Sequence, residues 1–396
     1  MTANLSSAGL IQLRLAEALG VVGLAQQQDL HRYAIGGVTP QAVVLPANME
    51  QLSQVLQLAH QEGWAVAPRG SGSLMEYGGV PNRFDVVLSL ERMTVAIDHA
   101  PGDLTVTVSA GAPLRALQET LRSAGQWLPV DPPLAGRQTI GGMLAANLAG
   151  PLSLSCGTLR DMAIGMKVAG PDGVVAKSGG KVVKNVTGFD VGKTHIGALG
   201  TLGVILEASF KVAPLPKKDV TLAALFDSLS EAVQASHALL GRPSTPQALE
   251  IALIGINRRD EDGGARTPTC NLYARLLSSE AAMERRLSDC TGLLEQAGAS
   301  NAQVAGSKAA SQTWEWLADF GWDPQAGSGL LVRMGCVPSR VGEMTQGVEE
   351  MVRNAQYQAS MVVGPGRGVV KVFMPGVKWS DPGTAGNAVD ALRRLA

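Results

Sequence analysis

Two glycine-rich segments carry the residue types that bind phosphate through backbone amides. The first is Gly70-Ser71-Gly72-Ser73, which follows a predicted strand at 64–67. Glycine permits close approach and positive φ, and successive amides in such a turn form a nest for negative charge. The second is Thr139-Ile140-Gly141-Gly142, which is predicted to begin a helix whose free amides point at a phosphate. The pair predicts a diphosphate held between two loops that lie about 70 residues apart in the chain.

Two other interpretations of the first loop stay open. Gly70-x-Gly72 fits the first half of a dinucleotide-binding fingerprint, and Glu91 stands about where its acidic ribose ligand would be. Against this interpretation, Met75 replaces the third glycine, and Pro81 falls where the following helix should run. The remaining interpretation is a glycine-rich turn that binds nothing.

The segment from Gln138 to Leu159 contains no charged residue, so a membrane span competes with a folded loop. Asn147, Pro151 and recurring Gly and Ser residues interrupt the apolar run. Polar groups at the middle of a membrane helix are costly, so we predict no direct membrane span.

Composition limits the class of protein. A length of 396 residues predicts two domains, and a net charge of −1 from 33 basic and 34 acidic side chains argues against nucleic-acid binding. The four cysteines show no CxxC spacing, which predicts a reducing compartment and no zinc or iron–sulfur ligands. Residues 1–24 lack a basic stretch followed by an apolar core, so we predict no signal peptide and a cytoplasmic location.

The elements that position the two loops follow from hydrophobic periodicity. Asn48 and Gln51 predict a capping box at the start of a helix that ends at Gly63. Further predicted elements in the first half are strands at 43–46, 84–90, 104–108 and 181–187, and a helix at 112–124. Beyond 217, strands and helices alternate as two β-α-β patterns, which predicts an α+β domain on one antiparallel sheet.

Six motifs, in this order, resemble the FAD-linked oxidases of the vanillyl-alcohol-oxidase/p-cresol-methylhydroxylase (PCMH) superfamily over residues 40–215. They are Pro68-Arg-Gly-Ser-Gly-Ser73, Val86-Val-Leu-Ser-Leu90, Thr139-Ile-Gly-Gly142 with Asn147, Gly157-Thr-Leu-Arg-Asp161, Gly170-Pro-Asp-Gly173 and Gly200-Thr-Leu-Gly-Val-Ile205. Lys184-Asn-Val-Thr-Gly-Phe-Asp190, followed by Lys193, further resembles the FAD-binding subunit of bacterial glycolate oxidase. The resemblance implies an N-terminal helical arm at 1–39, a PCMH-type FAD-binding domain at 40–215 and a ferredoxin-like α+β cap domain at 216–396.

The resemblance implies a FAD site in two parts. The residues expected at the pyrophosphate are Gly70, Ser71, Gly72 and Ser73 on one side. Those expected on the other side and along the ribityl chain are Thr139, Ile140, Gly141, Gly142 and Asn147. Those expected near the isoalloxazine are Gly157 and Asp161, and those near the adenine and ribose are Val204 and Ile205. Arg69 either adds charge to this site or closes a surface ion pair, and the sequence favours neither.

The sequence departs from the family's pattern in three places. Ser73 stands where many relatives carry the histidine that binds flavin covalently, so we predict non-covalent FAD. The chain contains no histidine beyond His237, so the histidine-rich motif of the family's catalytic subunit is missing and the catalytic residues stay unknown. The chain ends at Ala396 without the Asn-Pro-Gly close of many relatives.

Several other side chains have two interpretations. His195 is predicted to be a buried, satisfied histidine rather than a base. Trp314, Trp316, Phe320 and Trp322 form an aromatic cluster whose default role is core packing, with a partner surface or a wall over the flavin as the alternative. Three arginines are candidates to bind a substrate carboxylate, and they are Arg258, Arg275 and Arg333.

The resemblance implies the FAD-binding subunit of a glycolate oxidase complex. The expected partners are a paralogous FAD-linked catalytic subunit, an iron–sulfur subunit and a small 2-hydroxy-acid substrate. Membrane association through these partners stays open. Two alternatives are a standalone FAD-dependent dehydrogenase for another hydroxy acid or alcohol, and a scaffold that kept the fold but lost the cofactor.

Overall fold

The computed structural model describes residues 7–20, 23–93, 95–180, 191–260, 264, 266–322, 327–377 and 382–395. The chain forms two compact units. Unit 1 comprises Met1–Pro129, Ala135–Leu148 and Thr158–Leu215, and unit 2 comprises Val130–Leu134, Ala149–Gly157 and Pro216–Ala396. The predicted strand at 181–187 and the motif at 184–190 lie outside the described residues. The division into domains at 1–39, 40–215 and 216–396 stays a prediction.

Unit 1 combines a three-stranded, a five-stranded and a two-stranded sheet with its helices. Its helices are α1 (Ser7–Leu19), α2 (Met49–Glu62), α3 (Leu114–Ser123), α4 (Ile140–Ala146) and α6 (Leu159–Met162). Its strands are β1 (Ala42–Val44), β2 (Val66–Arg69), β3 (Val86–Ser89), β4 (Ile97–Ala100), β5 (Thr105–Ser109), β6 (Gln126–Trp127), β7 (Ala163–Ala169), β8 (Val175–Gly179), β9 (Val204–Lys211) and β10 (Ala213–Pro214). Strands β1, β3 and β2 form a parallel sheet, and β4, β5, β9, β7 and β8 form an antiparallel sheet.

Helix α2 begins and ends where its sequence predicts. The Asn48 side chain accepts a hydrogen bond from the Gln51 amide at 2.9 Å, and the Gln51 side chain accepts from the Ala47 amide at 2.8 Å. Two otherwise unpaired amides are thereby satisfied. Gly63 ends the helix at φ +66°, a left-handed conformation that costs glycine little. The helix connects β1 to β2, and β2 leads directly into the loop that begins at Gly70.

Unit 2 is built on one antiparallel sheet of seven strands. Its elements are α5 (Ser153–Cys156), β11 (Lys218–Phe226), α7 (Leu229–Leu239), β12 (Ala248–Ile256), β13 (Thr269–Ser278), α8 (Glu280–Gln296), β14 (Asn301–Ala305), α9 (Ser307–Asp319), β15 (Gly329–Gly335), α10 (Val341–Asn354), β16 (Ala359–Gly364), β17 (Val369–Pro375) and α11 (Pro382–Arg393). The strand order is β14-β11-β13-β12-β16-β17-β15. The first four strands have the order of a ferredoxin-like βαββαβ unit, and β15-α10-β16-β17 continues the sheet. The α+β prediction is confirmed.

The two faces of this sheet differ in chemistry. Side chains alternate between faces along a strand, and Ile251, Leu272 and Val372 are fully buried in the apolar core of unit 2. Glu250, Tyr273 and Lys371, one position away on the same strands, therefore point to the other face. Part of that second face packs against α9, where the Trp314 indole donates to the Thr221 hydroxyl at 2.7 Å. In the described part of the chain, no helix has the length and apolar character needed to cross a membrane.

Candidate functional site

A pocket of about 320 Å³ in unit 1 is the place where the two glycine-rich loops meet. Its lining comprises Ile35 and residues 66–68, 70–75, 78–81, 138–139, 142, 145–146 and 199–201. Ser71 and Gly142 both line it, so the prediction that the two loops converge on a single slot is confirmed. Its volume falls within the range of small-molecule sites, about 300–1,000 Å³.

The two loops are in direct contact at Gly70. A Cβ atom built on Gly70 would overlap the hydroxyl of Thr139, so glycine is required for this approach. Gly72 adopts φ +78°, a left-handed conformation, and packs against the guanidinium of Arg69. The sequence order strand, glycine, serine, glycine, serine thus produces a tight turn whose backbone faces the pocket.

The amides of this turn remain free to bind an anion. Among the hydrogen bonds of the described residues, none uses the backbone amides of Ser71, Gly72 or Ser73 as donors. The serine hydroxyls of Ser71 and Ser73 lie 3.4 Å apart. A run of amide donors beside a glycine in the left-handed region is the arrangement that binds phosphate groups.

The second loop differs from its prediction. Helix α4 was expected to present free amides, but the Ile140 amide donates to the Ala112 carbonyl at 2.9 Å and the Gly141 amide donates to the Ala110 carbonyl at 2.8 Å. The expectation that the amides at the start of this helix are free is therefore wrong for Ile140 and Gly141. The cause is a tertiary contact, because the connection between β5 and α3 supplies carbonyls to the start of α4.

Thr139 and Gly142 form the part of α4 that does line the pocket. The Thr139 hydroxyl caps the helix by accepting from the Gly142 amide at 3.3 Å, which is a long hydrogen bond. Gly141 serves packing, since a Cβ there would lie 2.9 Å from the Ala110 side chain. The two glycines therefore have different roles. Gly141 allows the helix to pack closely on Ala110, and Gly142 lines the pocket.

A third segment, Leu199-Gly200-Thr201, completes the lining. It is tied to α4 by the Leu199 amide, which donates to the Ala145 carbonyl at 2.9 Å. Gly200 has φ +74° and lies against Pro68. Gly200 and Thr201 belong to one of the six motifs, but the resemblance implied a binding role for Val204 and Ile205 of that motif. Those two residues are buried in β9 and do not line the pocket.

Arg69 does not line the pocket, although it neighbours the first loop. Its guanidinium forms an ion pair with Glu91 at 2.6 Å and lies 4.5 Å from the centre of the Tyr33 ring. Of the two interpretations left open, the structure shows the ion pair. Glu91 is thereby engaged as well, and residues 73–78 form turns rather than a helix, so the dinucleotide-fingerprint interpretation is wrong.

Three remaining predicted residues occupy different places. Asn147 ends α4 in the left-handed region at φ +47° and packs against Gly197. Gly157 belongs to unit 2, and neither it nor Asn147 lines the pocket. Asp161 caps α6 by accepting from the Thr158 amide at 2.7 Å, and this hydrogen bond lowers the pKa of Asp161. A structural cap thus accounts for Asp161.

His195 and the aromatic cluster are mainly structural. Burial lowers the pKa of His195, which favours the neutral ring, and the side chain is outside the pocket lining. Trp314 and Phe320 are buried as predicted, whereas Trp316 stays 38% exposed and contacts Phe320 edge to face at 5.9 Å.

One of the candidate carboxylate-binding arginines is already engaged. The Arg275 guanidinium forms a two-pronged contact with Asp219, with distances of 2.6 and 3.0 Å. Arg258 and Arg333 are exposed. Within the described residues, no group of three or more His, Cys, Asp or Glu side chains is placed to hold a metal ion.

Unit 2 contains a cluster of charged side chains that the sequence analysis missed. Glu250, which is fully buried, forms an ion pair with Arg367. Lys371 donates to the Leu317 carbonyl at 2.6 Å, and burial lowers its pKa to about 8. Asp131 interacts with these charges, and loss of hydration raises its pKa to about 7. These residues are far apart in sequence, so no local sequence pattern predicts the cluster.

Comparisons with known proteins agree with this geometry. Residues 40–179 match the family model described as FAD binding domain. The chain is 32% identical over 212 residues to glycolate oxidase subunit GlcD of Bacillus subtilis, covering 54% of this chain and 45% of that protein. It is 39% identical over 127 residues to glycolate oxidase subunit GlcE of Escherichia coli, covering 32% of this chain and 36% of that protein.

A third relative matches a longer stretch. The chain is 31% identical over 289 residues to a D-2-hydroxyglutarate dehydrogenase of Xanthomonas citri pv. viticola, covering 69% of this chain and 60% of that protein. Overall, the chain spans about half the length of the curated relatives it matches.

Solved structures show the same fold. An alkyldihydroxyacetonephosphate synthase superposes with a TM-score of 0.77 at 18% identity, covering 97% of this chain and 79% of the other. A p-cresol methylhydroxylase with substrate bound superposes with a TM-score of 0.76 at 16% identity, covering 99% of this chain and 87% of the other.

Proposed function

We propose that this chain is the FAD-binding subunit of a 2-hydroxy-acid oxidase complex, because its residues 40–179 match the model of a FAD binding domain. Glycolate is the proposed substrate. The relatives named above are glycolate oxidase subunits and a 2-hydroxyglutarate dehydrogenase, and D-lactate dehydrogenases also match. Each of these names describes the oxidation of a 2-hydroxy acid at the carbon that carries the hydroxyl group.

The observation that carries the proposal is the pocket of unit 1. The residues fit FAD because the amides of Ser71, Gly72 and Ser73 offer donors for a diphosphate without a lysine cluster. Gly70 lets this turn approach Thr139 so closely that the two loops form one slot. When bound, FAD supplies the hydride acceptor, and the protein supplies orientation and electrostatics.

Each wall of the pocket has a proposed role. The turn at Ser71–Ser73 binds the pyrophosphate, and Thr139 and Gly142 hold the opposite side. The apolar side chains of Pro68 and Leu199 exclude water along the cofactor. Because the Ile140 and Gly141 amides are already bonded, most of the phosphate binding falls to the first loop.

The proposed partners are a paralogous FAD-linked subunit and an iron–sulfur subunit. Support comes from the similarity to two proteins that are both named as subunits of glycolate oxidase. We propose a cytoplasmic complex, in which oxidation of the acid is completed only when the partners are present. A standalone dehydrogenase is the second candidate. It is favoured because the similarity to a D-2-hydroxyglutarate dehydrogenase extends over 69% of this chain.

Anaerobic titration of the purified holoprotein with hydroxy acids tests the proposal. The flavin absorbance should persist when glycolate is added to the chain alone, and it should bleach when co-expressed partner subunits are present. Rapid bleaching of the isolated chain by D-2-hydroxyglutarate or D-lactate would instead establish the standalone enzyme. A colourless protein that still co-purifies with other subunits would establish the scaffold.

The mode of FAD attachment gives a separate prediction. Ser73 lines the pocket, and a serine hydroxyl cannot replace the imidazole that bonds flavin in many relatives. Acid precipitation of the holoprotein should therefore release all FAD to the supernatant. Substituting Ser73→Ala should leave this release unchanged, whereas yellow colour that stays in the washed pellet would show a covalent bond.

A further inference from the structure

The segment that forms one side of the pocket is flanked on both sides in the sequence by residues of the other unit. Ala135–Leu148 belongs to unit 1 and contributes Gln138, Thr139 and Gly142 to the pocket. The residues before it, Val130–Leu134, and after it, Ala149–Gly157, both cluster with unit 2. In chain order the segment therefore interrupts unit 2 as a loop, although it packs within unit 1.

The two flanks of this loop are joined to each other by Asp131. Both carboxylate oxygens of Asp131 lie within hydrogen-bond distance of the Leu152 amide, at 3.1 and 3.0 Å. The backbone carbonyl of Asp131 packs so closely on Gly150 that a Cβ there would overlap it. The first flank has a further anchor, since the Leu134 amide donates to the Asp319 carboxylate at 2.5 Å. The contacts of Asp131 with Gly150 and Leu152 thus close the loop at its base. We call the two joined flanks, Val130–Leu134 and Ala149–Gly157, the stem.

A closed stem restricts the conformations of the loop that it carries. Joining the ends of a flexible loop costs entropy that increases slowly with length, and this cost is met in the folded chain before any ligand arrives. A preorganised pocket binds more tightly, because less ordering is needed on binding. The position of Thr139 and Gly142 opposite the first loop is therefore sensitive to the stem.

We propose that Asp131 is a positioning residue for the cofactor pocket, which acts through Leu152 by fixing both ends of the segment Ala135–Leu148. This inference rests on the proposed FAD site in that pocket. Asp131 itself does not line the pocket. Its partner across the stem, Gly150, has the complementary role of allowing the close approach.

The charge of Asp131 provides a readout that a purely structural residue would lack. Arg367 and Arg275 favour the ionised carboxylate, Glu250 opposes it, and Lys371 also interacts with it. Loss of hydration outweighs the favourable contacts and raises the pKa of Asp131 to about 7. Because burial disfavours the charged carboxylate, the closed stem is most stable when Asp131 is protonated, and it loosens as pH rises through about 7.

The test measures FAD affinity and amide hydrogen exchange of the apo-protein. Asp131→Ala and Gly150→Ala open the stem from opposite sides, and Asp131→Asn keeps a neutral acceptor. Val348→Ala, in the fully buried core of unit 2, is the control for general loss of stability. The alanine variants of the stem should raise the Kd for FAD by about tenfold or more, the range seen when supporting residues of a site are removed. They should also speed exchange across 135–148 before any FAD is added.

The conservative variant and pH separate the proposal from a folding defect. Asp131→Asn should bind FAD within about threefold of wild type at pH 6 and should lose the wild-type increase in Kd above pH 7. Wild-type affinity and exchange in Asp131→Ala, or an equal effect of Val348→Ala, would overturn the proposal. If the alanine variants do not fold, an unaltered pH profile in Asp131→Asn would overturn it. Failure of the FAD site itself would show as a wild-type protein that does not bind FAD, while the exchange experiment would still report on the stem.

Discussion

Substituting Gly70 with alanine is expected to weaken FAD binding by about 10- to 100-fold. The added Cβ would overlap the Thr139 hydroxyl, so the two loops must separate across the pocket. Forcing an extra carbon into a tight contact costs about 1–3 kcal/mol, which corresponds to this change in affinity. Gly70 is not in the left-handed region, so the effect comes from the contact rather than from backbone strain. Titration of the apo-protein with FAD measures it.

Two further variants isolate the contact. Gly102→Ala is the matched control, because a Cβ there meets nothing within 4 Å and the residue lies outside the pocket lining. Its affinity should equal that of wild type. Thr139→Ala removes the overlapping hydroxyl but also the helix cap, which alone costs about 1 kcal/mol. The double variant should bind FAD better than the sum of the single effects predicts, and strict additivity would contradict the contact.

The second large effect is expected from the buried ion pair of unit 2. Glu250→Gln should lower the free energy of unfolding by about 3–5 kcal/mol, because it leaves the Arg367 guanidinium buried without its counter-charge. Glu250 is fully buried and the Arg367 side chain is 8% exposed, so water cannot replace the lost partner. Urea denaturation followed by circular dichroism measures the loss.

An exposed ion pair on the same unit provides the control. Arg340 and Glu343 lie 3.1 Å apart with side chains that are 62% and 73% exposed. Glu343→Gln should leave the urea midpoint nearly unchanged, because exposed pairs contribute little to stability. Replacing both buried partners, as Glu250→Leu with Arg367→Met, should recover part of the loss. A Glu250→Gln variant as stable as Glu343→Gln would contradict this account of unit 2.

The features predicted from sequence are those with local causes. The Asn48 cap, the Gly63 stop and the alternation of the antiparallel strands each depend on neighbouring residues, and the structure confirms them. The meeting of the loops at Gly70 and Gly142 was predicted from their shared chemistry together with the family resemblance. The FAD binding domain is supported by the family match at residues 40–179, and the superposed structures confirm the predicted fold.

The features that the sequence did not reveal arise from tertiary contacts. The Ile140 and Gly141 amides looked free because nothing in their own segment pairs with them, yet carbonyls about 30 residues earlier accept their hydrogen bonds. Val204 and Ile205 were assigned to the site by motif, whereas the pocket uses the preceding turn at 199–201. The binding roles of the predicted site residues stay proposals.

The central claim, that the two loops bind one FAD between them, is tested most directly by hydrogen–deuterium exchange of the apo-protein with and without FAD. FAD should slow exchange at Ser71–Ser73, at 139–142 and at 199–201 together. Binding of FAD that leaves these three segments unchanged, or that protects a different part of the chain, would contradict it.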